Sequence, residues 1–280
     1  SPQSGESIVT AGLHWPHWSS DGAFLALFDA AYESGRWLVL DVAAGRAGNG
    51  GLFRNQVDWN PIRSELAGDD TSWDTPDSQS ALIRSTVVTD GRWSVTTSTL
   101  SAGKLKRLRW SPNGDSLGFE GSHFRSEGIL SREQWQFGVV DITTLAVTIL
   151  DTTSPTEKWR FRFGGPPQFG ADGHLVWCRH DGVGRVAVFQ HDPADGSVRQ
   201  IGLAEQADGC RVVSVLPDAA LVLVRTADAA DQAALVRFDR RDGSATRLLE
   251  TNSFITVLDV TLTGPEASAE ASPEADPLLQ

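Results

Sequence analysis

A serine between two glycines is the first feature of the chain that could do chemistry. Residues 114–118 read Gly-Asp-Ser-Leu-Gly, the pattern that presents the nucleophile in many serine hydrolases. That serine is reactive when it sits on a sharp turn from a strand into a helix. Here the first glycine completes a turn sequence, Ser-Pro-Asn-Gly, and apolar residues typical of a strand follow. We therefore predict a turn and a strand at this position, and we assign no catalytic residue.

Two histidines near the N-terminus have a spacing that could serve a metal ion. On a helix, His14 and His17 could direct both imidazoles at one ion. Pro16 lies between them and favours an extended backbone, in which the two rings would not converge. We predict a structured, extended segment without a metal.

Four aspartates in one short segment could attract a harder cation. They are Asp69, Asp70, Asp74 and Asp77. Calcium loops of the EF-hand type need acidic residues at defined positions and a glycine at the turn, and this segment has neither. We predict a solvated loop over residues 68–79, with neither a metal nor another cofactor.

The basic residues are concentrated in one part of the chain. Residues 158–163 read Lys-Trp-Arg-Phe-Arg-Phe, so a strand there would carry three cations on one face and three aromatic rings on the other. Such a ridge could bind an acidic partner or lipid headgroups. The alternative is an exposed strand face whose cations pair with the protein's own carboxylates. The candidate contacts are Lys104, Lys106, Arg107, Lys158, Arg160 and Arg162.

Tryptophan is unusually frequent, with ten residues in a chain of 280. Trp18, Trp59 and Trp110 occur at the same place in a recurring phrase, so we predict that they are core residues. Trp73 lies instead in the polar segment 69–80. Because exposed aromatic side chains often anchor interfaces, Trp73 is a further candidate contact.

The recurring phrase is an aromatic or apolar anchor, a short polar turn, and an apolar run. It is clearest at Trp110-Ser-Pro-Asn-Gly, which precedes Ser116-Leu-Gly-Phe. Glycine after Asp or Asn supplies the positive φ that a tight hairpin turn requires. The five anchors, which stand 41 to 59 residues apart, are Trp18, Trp59, Trp110, Phe169 and Val215.

Each repeat has room for four short strands. Apolar runs such as 36–41, 136–141, 185–189 and 234–238 predict the third strand of a unit, and 198–201 and 245–248 predict the fourth. We find no helical periodicity. Four strands in each of five repeats predict an all-β protein, a β-propeller of four-stranded blades.

The phrase at residues 110–114 resembles the PD40 repeat of TolB-like propellers, a WD40-like repeat. The same repeat builds the propeller domains of prolyl-oligopeptidase-type peptidases, in which a separate domain carries the catalytic triad. The resemblance covers about residues 12–250 and implies the fold, but it does not imply a function because propellers have many unrelated activities.

The ends of the chain determine how many blades we expect. We predict a propeller over residues 13–263, with five full blades and a partial sixth blade or a terminal clasp. Residues 254–262 read as one strand, and residues 1–12 could add a closing strand. The alternative is a complete ring of six blades. Residues 264–280 are rich in Ala, Ser, Glu and Pro, and we expect an acidic, disordered tail.

The chain has two cysteines, Cys178 and Cys210. The repeat places Cys178 at the end of the second strand of blade four and Cys210 at the start of the first strand of blade five. A disulfide between these adjacent blades is geometrically feasible. In a cytosolic protein, two reduced thiols are the alternative.

Charge and composition narrow the classes of function. The net charge of −12 makes the chain a poor partner for nucleic acid, and no apolar run is long enough to span a membrane. The chain lacks Met, and we read this as the sign of a removed leader. The expected location is therefore periplasmic or extracellular, with a cytoplasmic location as the alternative.

These observations predict a non-catalytic protein-binding or scaffold propeller, an exported accessory subunit of a larger complex that could be membrane-associated. Its partners would be other protein subunits, contacted through loops 68–79 and 121–134, the tail and the basic residues. The alternative is a propeller hydrolase, lyase or sugar-binding protein that uses the central channel. The predicted channel strands contain one carboxylate, Asp58.

Overall fold

The computed structural model describes eleven stretches of the chain and consists there of strands and turns. These stretches are residues 13–29, 36–51, 57–70, 80–87, 93–100, 104–127, 130–153, 165–181, 184–205, 207–226 and 233–251. Their twenty strands form five separate antiparallel sheets of four strands each. The prediction of an all-β protein with four strands per repeat is confirmed.

Each sheet consists of four strands that are consecutive in the chain, and each therefore forms one blade. Blade 1 contains β1 (Leu13–Trp18), β2 (Phe24–Asp29), β3 (Arg36–Asp41) and β4 (Arg46–Gly51), and blade 2 contains β5 (Asp58–Trp59), β6 (Glu65–Asp70), β7 (Ser80–Val87) and β8 (Trp93–Leu100). Blade 3 contains β9 (Lys104–Trp110), β10 (Ser116–Glu127), β11 (Leu130–Asp141) and β12 (Val147–Thr152). Blade 4 contains β13 (Gln168–Phe169), β14 (Leu175–His180), β15 (Arg185–His191) and β16 (Val198–Glu205), and blade 5 contains β17 (Ala207–Val215), β18 (Ala219–Thr226), β19 (Ala233–Asp239) and β20 (Ala245–Thr251).

The first strands of successive blades lie side by side. β1 contacts β5, β5 contacts β9, β9 contacts β13, and β13 contacts β17. These five strands therefore form the inner edge of the blades, which is the wall of the channel in a propeller. Asp58, the carboxylate predicted on a channel strand, lies on one of them.

The recurring phrase forms the hairpin between the first two strands of a blade. In blade 3 the Ser111 hydroxyl donates to Asn113 Oδ1 over 2.7 Å and accepts from the Ser116 amide over 3.0 Å. Gly114 has a φ of 68°, which the tight turn requires. Ser116 opens β10 rather than a helix, as predicted for the Gly-Asp-Ser-Leu-Gly segment. Blade 1 repeats the same bonds with Ser19 in place of Ser111.

The hydrophobic core lies mainly between neighbouring blades. One buried group joins Leu82 of blade 2 to Leu117 and Phe119 of blade 3. Another joins Val188 of blade 4 to Val212 of blade 5. Because each blade covers a face of the next, an anchor residue is buried only when a neighbouring blade lies on it.

The three anchor tryptophans differ in this respect. Trp59 is 7% exposed and Trp110 is 6% exposed, as predicted, but Trp18 is 57% exposed. The prediction that Trp18 is a core residue is therefore wrong for the described residues. Trp18 belongs to the first blade, and the described strands leave most of its indole uncovered.

Two predicted loops are partly strand. The segment 121–134 continues β10 and β11, which pair residue by residue as far as Glu127 and Leu130. Its polar composition suggested a loop, but backbone groups form the ladder whatever the side chains are. Asp69 is fully buried in β6, which extends to Asp70, so the solvated-loop prediction fails at both positions. Asp74 and Asp77 lie outside the described residues.

A disulfide bond joins Cys178 in β14 to Cys210 in β17, with their Cα atoms 6.2 Å apart. It links blades 4 and 5 near the inner edge of the ring. Both cysteines are buried in the core between these two blades.

In the described part of the chain, no helix is long and apolar enough to cross a membrane.

Candidate functional site

The residue immediately before each repeat anchor lies on the innermost strand of its blade. We call these five residues the inner ring: His17, Asp58, Arg109, Gln168 and Ser214. All five are partly buried. Because they occupy the same place in five copies of one repeat, they stand at equivalent positions around the channel.

Asp58 is fixed between blades 2 and 3. Its Oδ2 accepts a hydrogen bond of 2.8 Å from the main-chain amide of Trp110, and its Oδ1 lies 3.5 Å from a guanidinium nitrogen of Arg109. Burial raises the pKa of Asp58, whereas the positive charge of Arg109 and the Trp110 amide act in the opposite direction. The carboxylate is thus held in place by its partners in blade 3.

His17 lies within electrostatic range of both Asp58 and Arg109. Burial lowers the pKa of His17, Arg109 lowers it further, and Asp58 raises it. Because an ordinary histidine pKa is about 6.5, this imidazole is mainly neutral at pH 7. The ring packs edge-on against Trp37, with 5.7 Å between centroids.

Three arginines extend the site from blade 3 to blade 5. Arg107 and Arg109 project from β9, and Arg211 projects from β17. Partial burial lowers the pKa of Arg211, and the charges of Arg109 and Arg107 lower it further. The charges of Arg107 and Arg109 therefore act on Arg211 from the neighbouring part of the inner ring.

The charges of these arginines are not balanced equally. Arg107 forms a 2.7 Å ion pair with the buried carboxylate of Glu120, and Arg109 forms a 3.5 Å ion pair with Asp58. Within the described stretches, no carboxylate forms an ion pair with Arg211. The site therefore carries an excess positive charge in a protein of net charge −12.

Gly165 makes room for the stem of Arg211. A Cβ atom at position 165 would collide with Cγ of Arg211. The close approach of the backbone there fixes the direction in which this side chain leaves β17.

The residues predicted as partner contacts are only partly within the described structure. Lys104 and Lys106 lie on β9, the innermost strand of blade 3, but their side chains are outside the description. Arg107 is on the same strand and pairs with the protein's own Glu120, which agrees with the alternative given for the basic residues. Lys158, Arg160, Arg162 and Trp73 lie outside the described residues.

Sequence reasoning missed His17, Arg109 and Arg211 as members of one cluster. The signal was available, because His17 and Arg109 each stand directly before a repeat anchor, as Asp58 does. Arg211 stands four residues before Val215, and a register shift between Val212 and Ser214 brings it to a position comparable to that of Arg107.

A second polar cluster lies at the turns of blades 3, 4 and 5. A cavity of about 280 Å³ is lined by Pro112, Phe169 and Asp172 among others. Beside it, His174 stands between two carboxylates, with Nδ1 3.1 Å from Asp172 and Nε2 3.2 Å from Asp192. Among the described residues, no group of three or more His, Cys, Asp or Glu side chains could hold a metal ion. The contacts of His174 join two turns of blade 4.

Comparison with solved structures agrees with this architecture. Acylaminoacyl peptidase from Pyrococcus horikoshii matches 85% of the chain over 39% of its own length, with 12% identity and a TM-score of 0.57. The fold is a β-propeller. Oligogalacturonate lyase from Vibrio parahaemolyticus matches 85% of the chain over 65% of its own length, with 12% identity and a TM-score of 0.53.

TolB is also among the structures that resemble this propeller. TolB from Acinetobacter baumannii matches 83% of the chain over 55% of its own length, with 13% identity and a TM-score of 0.43. The propeller thus spans less than two thirds of each of these three structures. No protein-family model and no curated protein sequence matches the chain. The resemblance to the peptidase and lyase structures holds at the level of the fold.

Proposed function

We propose that this propeller is a non-catalytic binding module that takes an acidic segment of a partner protein at its inner ring. The observation that carries the proposal is Arg211, which lies within electrostatic range of Arg107 and Arg109 and forms no ion pair with a carboxylate of the described stretches. An anion that enters beside Arg211 offsets the unfavourable effect of the two neighbouring cations.

The arrangement of the arginines suits carboxylates. A guanidinium group binds a carboxylate through two parallel N–H bonds, and such charge-assisted bonds are the stronger ones in proteins. Glu120 and Asp58 already orient Arg107 and Arg109. An incoming carboxylate therefore meets groups that lose little side-chain freedom on binding.

We also propose that the protein is exported and acts as an accessory subunit of a larger complex. Disulfides persist in oxidising compartments, and the Cys178–Cys210 bond supports a periplasmic or extracellular site of action. The partner is then another exported or membrane-associated subunit whose acidic segment is accessible from the periplasm or the extracellular space.

Binding of model peptides tests this function. We would measure the affinity of the propeller for a fluorescent peptide with a run of glutamates and for the same peptide with glutamines. Arg211→Gln should weaken binding of the glutamate peptide by about tenfold or more, because a hydrogen bond to a charged group contributes about 1.5–3 kcal/mol. Added salt should weaken it further.

Arg241→Gln is the matched control, because Arg241 is exposed on the turn between β19 and β20. It removes the same charge from blade 5 at a distance from the inner ring and should leave the affinity unchanged. Equal losses in the two variants, or equal affinity for the two peptides, would refute the proposal.

The pair of His17 and Asp58 supports a second candidate, an acid–base enzyme acting in the channel. A neutral imidazole beside a carboxylate can accept and return a proton. The oligogalacturonate lyase among the matched structures suggests an acidic sugar as the substrate to try. Depolymerisation of oligogalacturonate that is abolished by His17→Ala would replace the non-catalytic assignment. Absence of turnover together with Arg211-dependent peptide binding would support the binding module.

A further inference from the structure

A polar cavity of about 460 Å³ lies on blade 2, outside the inner ring. Its lining residues come from the turn between β5 and β6 and from the three strands that follow. All six are polar or charged: Arg63, Ser64, Glu65, Arg84, Thr86 and Thr96. The volume falls in the range of about 300–1,000 Å³ that is usual for the sites of small organic ligands.

The strand register of blade 2 explains why these side chains meet. Thr86 lies opposite Glu65 on β6, and Arg84 lies opposite Thr96 on β8. Residues that face one another across strands, and residues two apart in one strand, project from the same face of a sheet. Leu82 projects from that face as well and packs in the core with blade 3. The cavity therefore lies where the apolar contact between blades 2 and 3 gives way to polar residues.

Arg84 carries a buried donor that lacks an acceptor. Its Nε is closed to solvent and forms no hydrogen bond with any described residue. Its Nη1 is already used, because it lies 3.4 Å from Oε1 of the buried Glu65. A donor that has lost its water without gaining a partner is unfavourable, and an acceptor from a ligand would remove that penalty.

The other lining groups also have donors to spare. The two hydrogen bonds that Arg63 makes to described residues, the Gly114 oxygen and Asp115, both use Nη2, which leaves Nη1 and Nε. Among the described residues, the hydroxyls of Thr86 and Thr96 form no hydrogen bond, and a hydroxyl can donate. A ligand that suits this cavity is therefore rich in acceptors.

The balance of charge favours an anion. Two guanidinium groups line the cavity together with one carboxylate, that of Glu65. Two further carboxylates lie at the rim, Asp115 at 3.3 Å from Arg63 and Asp21 at 3.5 Å from the Ser64 hydroxyl. Both rim carboxylates are exposed, so water screens their charge. The lining thus keeps a positive charge that one anionic group can offset.

We propose that this cavity binds a tetrahedral oxyanion, a phosphate or sulfate group. The donors approach from three sides, the turn before β6, β7 and β8, and a tetrahedral oxyanion presents acceptor oxygens in several directions. A carboxylate presents its acceptors in one plane and would leave part of the lining without a partner. An ion of five atoms fills only part of the cavity, which leaves room for an attached organic group.

Calorimetric titration with glucose 6-phosphate, glucose 6-sulfate and glucose tests the proposal. The two esters should bind, and glucose should not. Arg84→Lys keeps a positive charge beside Glu65 but removes the Nε donor and the planar fork, so it should weaken binding of the esters by about tenfold or more. Thr96→Val changes no charge and should weaken binding by about threefold, which keeps the test valid if the Arg84 variant does not fold.

Arg247→Gln is the matched control for Arg63→Gln. Both arginines are more than half exposed, and each forms one exposed ion pair, Arg247 with Glu250 and Arg63 with Asp115. Only Arg63→Gln should weaken binding, while Tm reports whether each variant remains folded. Equal losses in these two variants, equal binding of glucose and its esters, or no binding of either ester would overturn the proposal. An affinity for inorganic phosphate equal to that for glucose 6-phosphate would identify the free ion as the ligand, and a weaker one would identify an organic ester.

Discussion

Blades 2 and 3 are joined by residues of the repeat, whereas blades 4 and 5 are joined by residues outside it. At the first junction, Asn60 donates from Nδ2 to the Gly114 oxygen over 3.0 Å, and Trp110 donates to Asp58. At the second, a disulfide and the buried guanidinium of Arg240 connect the blades. The anchor of blade 5 is Val215, which has no indole to donate, so other groups take over the connection.

Arg240 is the residue that shows this difference best. Its guanidinium donates to Gln190 Oε1 over 2.8 Å and to the Leu216 oxygen over 2.8 Å, and it lies 2.8 Å from Asp172 Oδ2. It is 5% exposed. A single buried side chain thus holds the end of β15, the turn after β17 and the turn before β14.

The largest predicted effect is therefore that of Arg240→Ala. Removing one partner of a buried charged network costs about 3–5 kcal/mol, because the remaining polar groups stay buried without their donor. Denaturant unfolding should show this loss in the free energy of unfolding. Arg241→Ala, at the exposed neighbouring position, should change that free energy by no more than about 0.5 kcal/mol. A similar small change for both variants would mean that the network contributes little to the second junction.

Removal of the disulfide tests the other half of that junction. Cys178 and Cys210 are 32 residues apart in the chain. Replacing both with Ala should lower the free energy of unfolding by about 3–4 kcal/mol, through the larger freedom of the unfolded chain. Hydrogen exchange should increase in blades 4 and 5 more than in blades 2 and 3. An equal increase in all blades would show that the ring opens as one unit.

Asn60→Ala is the corresponding test at the first junction. The side chain is fully buried, and its Oδ1 also accepts from the amides of Ile62 and Arg63 over 2.9 and 3.0 Å. Loss of these bonds leaves buried groups unsatisfied, and we expect a loss of about 2 kcal/mol. Asn113→Ala is the control, since Asn113 is exposed and bonds within its own turn. A larger effect for Asn113 would contradict the role given to the junction.

The contrast between the junctions explains what could be predicted from the sequence. The strands, the hairpins and the burial of Trp59 and Trp110 followed from the repeat, because the same short phrase recurs with turn residues that have one conformation. The contacts of Arg240 and the meeting of Arg109 with Arg211 depend on residues that occur once. Their partners lie in other blades, and only the packing of the ring brings them together.

The same contrast between the junctions explains why the predictions for Asp69 and Trp18 are wrong. The sequence predicts a loop at Asp69 because further aspartates follow it, although Asp69 is the fifth residue of β6. The sequence predicts a buried Trp18 because the residues around it match those around Trp110. A local phrase specifies the hairpin, but burial of the anchor depends on the blade before it.

The smallest predicted effect concerns pH and the inner-ring residue His17 of blade 1. Burial lowers the pKa of His17, so the folded state binds fewer protons at this site than the unfolded state does. The stabilisation is complete above the ordinary histidine pKa of about 6.5 and is lost as the pH falls through the lower pKa of the folded state. Thermal unfolding should therefore show a lower Tm at pH 5.5 than at pH 7.5, and His17→Gln should reduce this difference.

His191 provides the matched test in blade 4, because burial lowers the pKa of its imidazole as well. Asp192 and Asp195 oppose that shift, and His174 adds to it. At His17 a single carboxylate, Asp58, opposes the lowering of the pKa, and Arg109 adds to it. His191→Gln should therefore reduce the pH difference in Tm less than His17→Gln does. A larger reduction for His191 would place the stronger desolvation in blade 4 rather than in the inner ring. If the difference in Tm between the two pH values is unchanged in both variants, burial does not lower the pKa of either imidazole enough to affect stability.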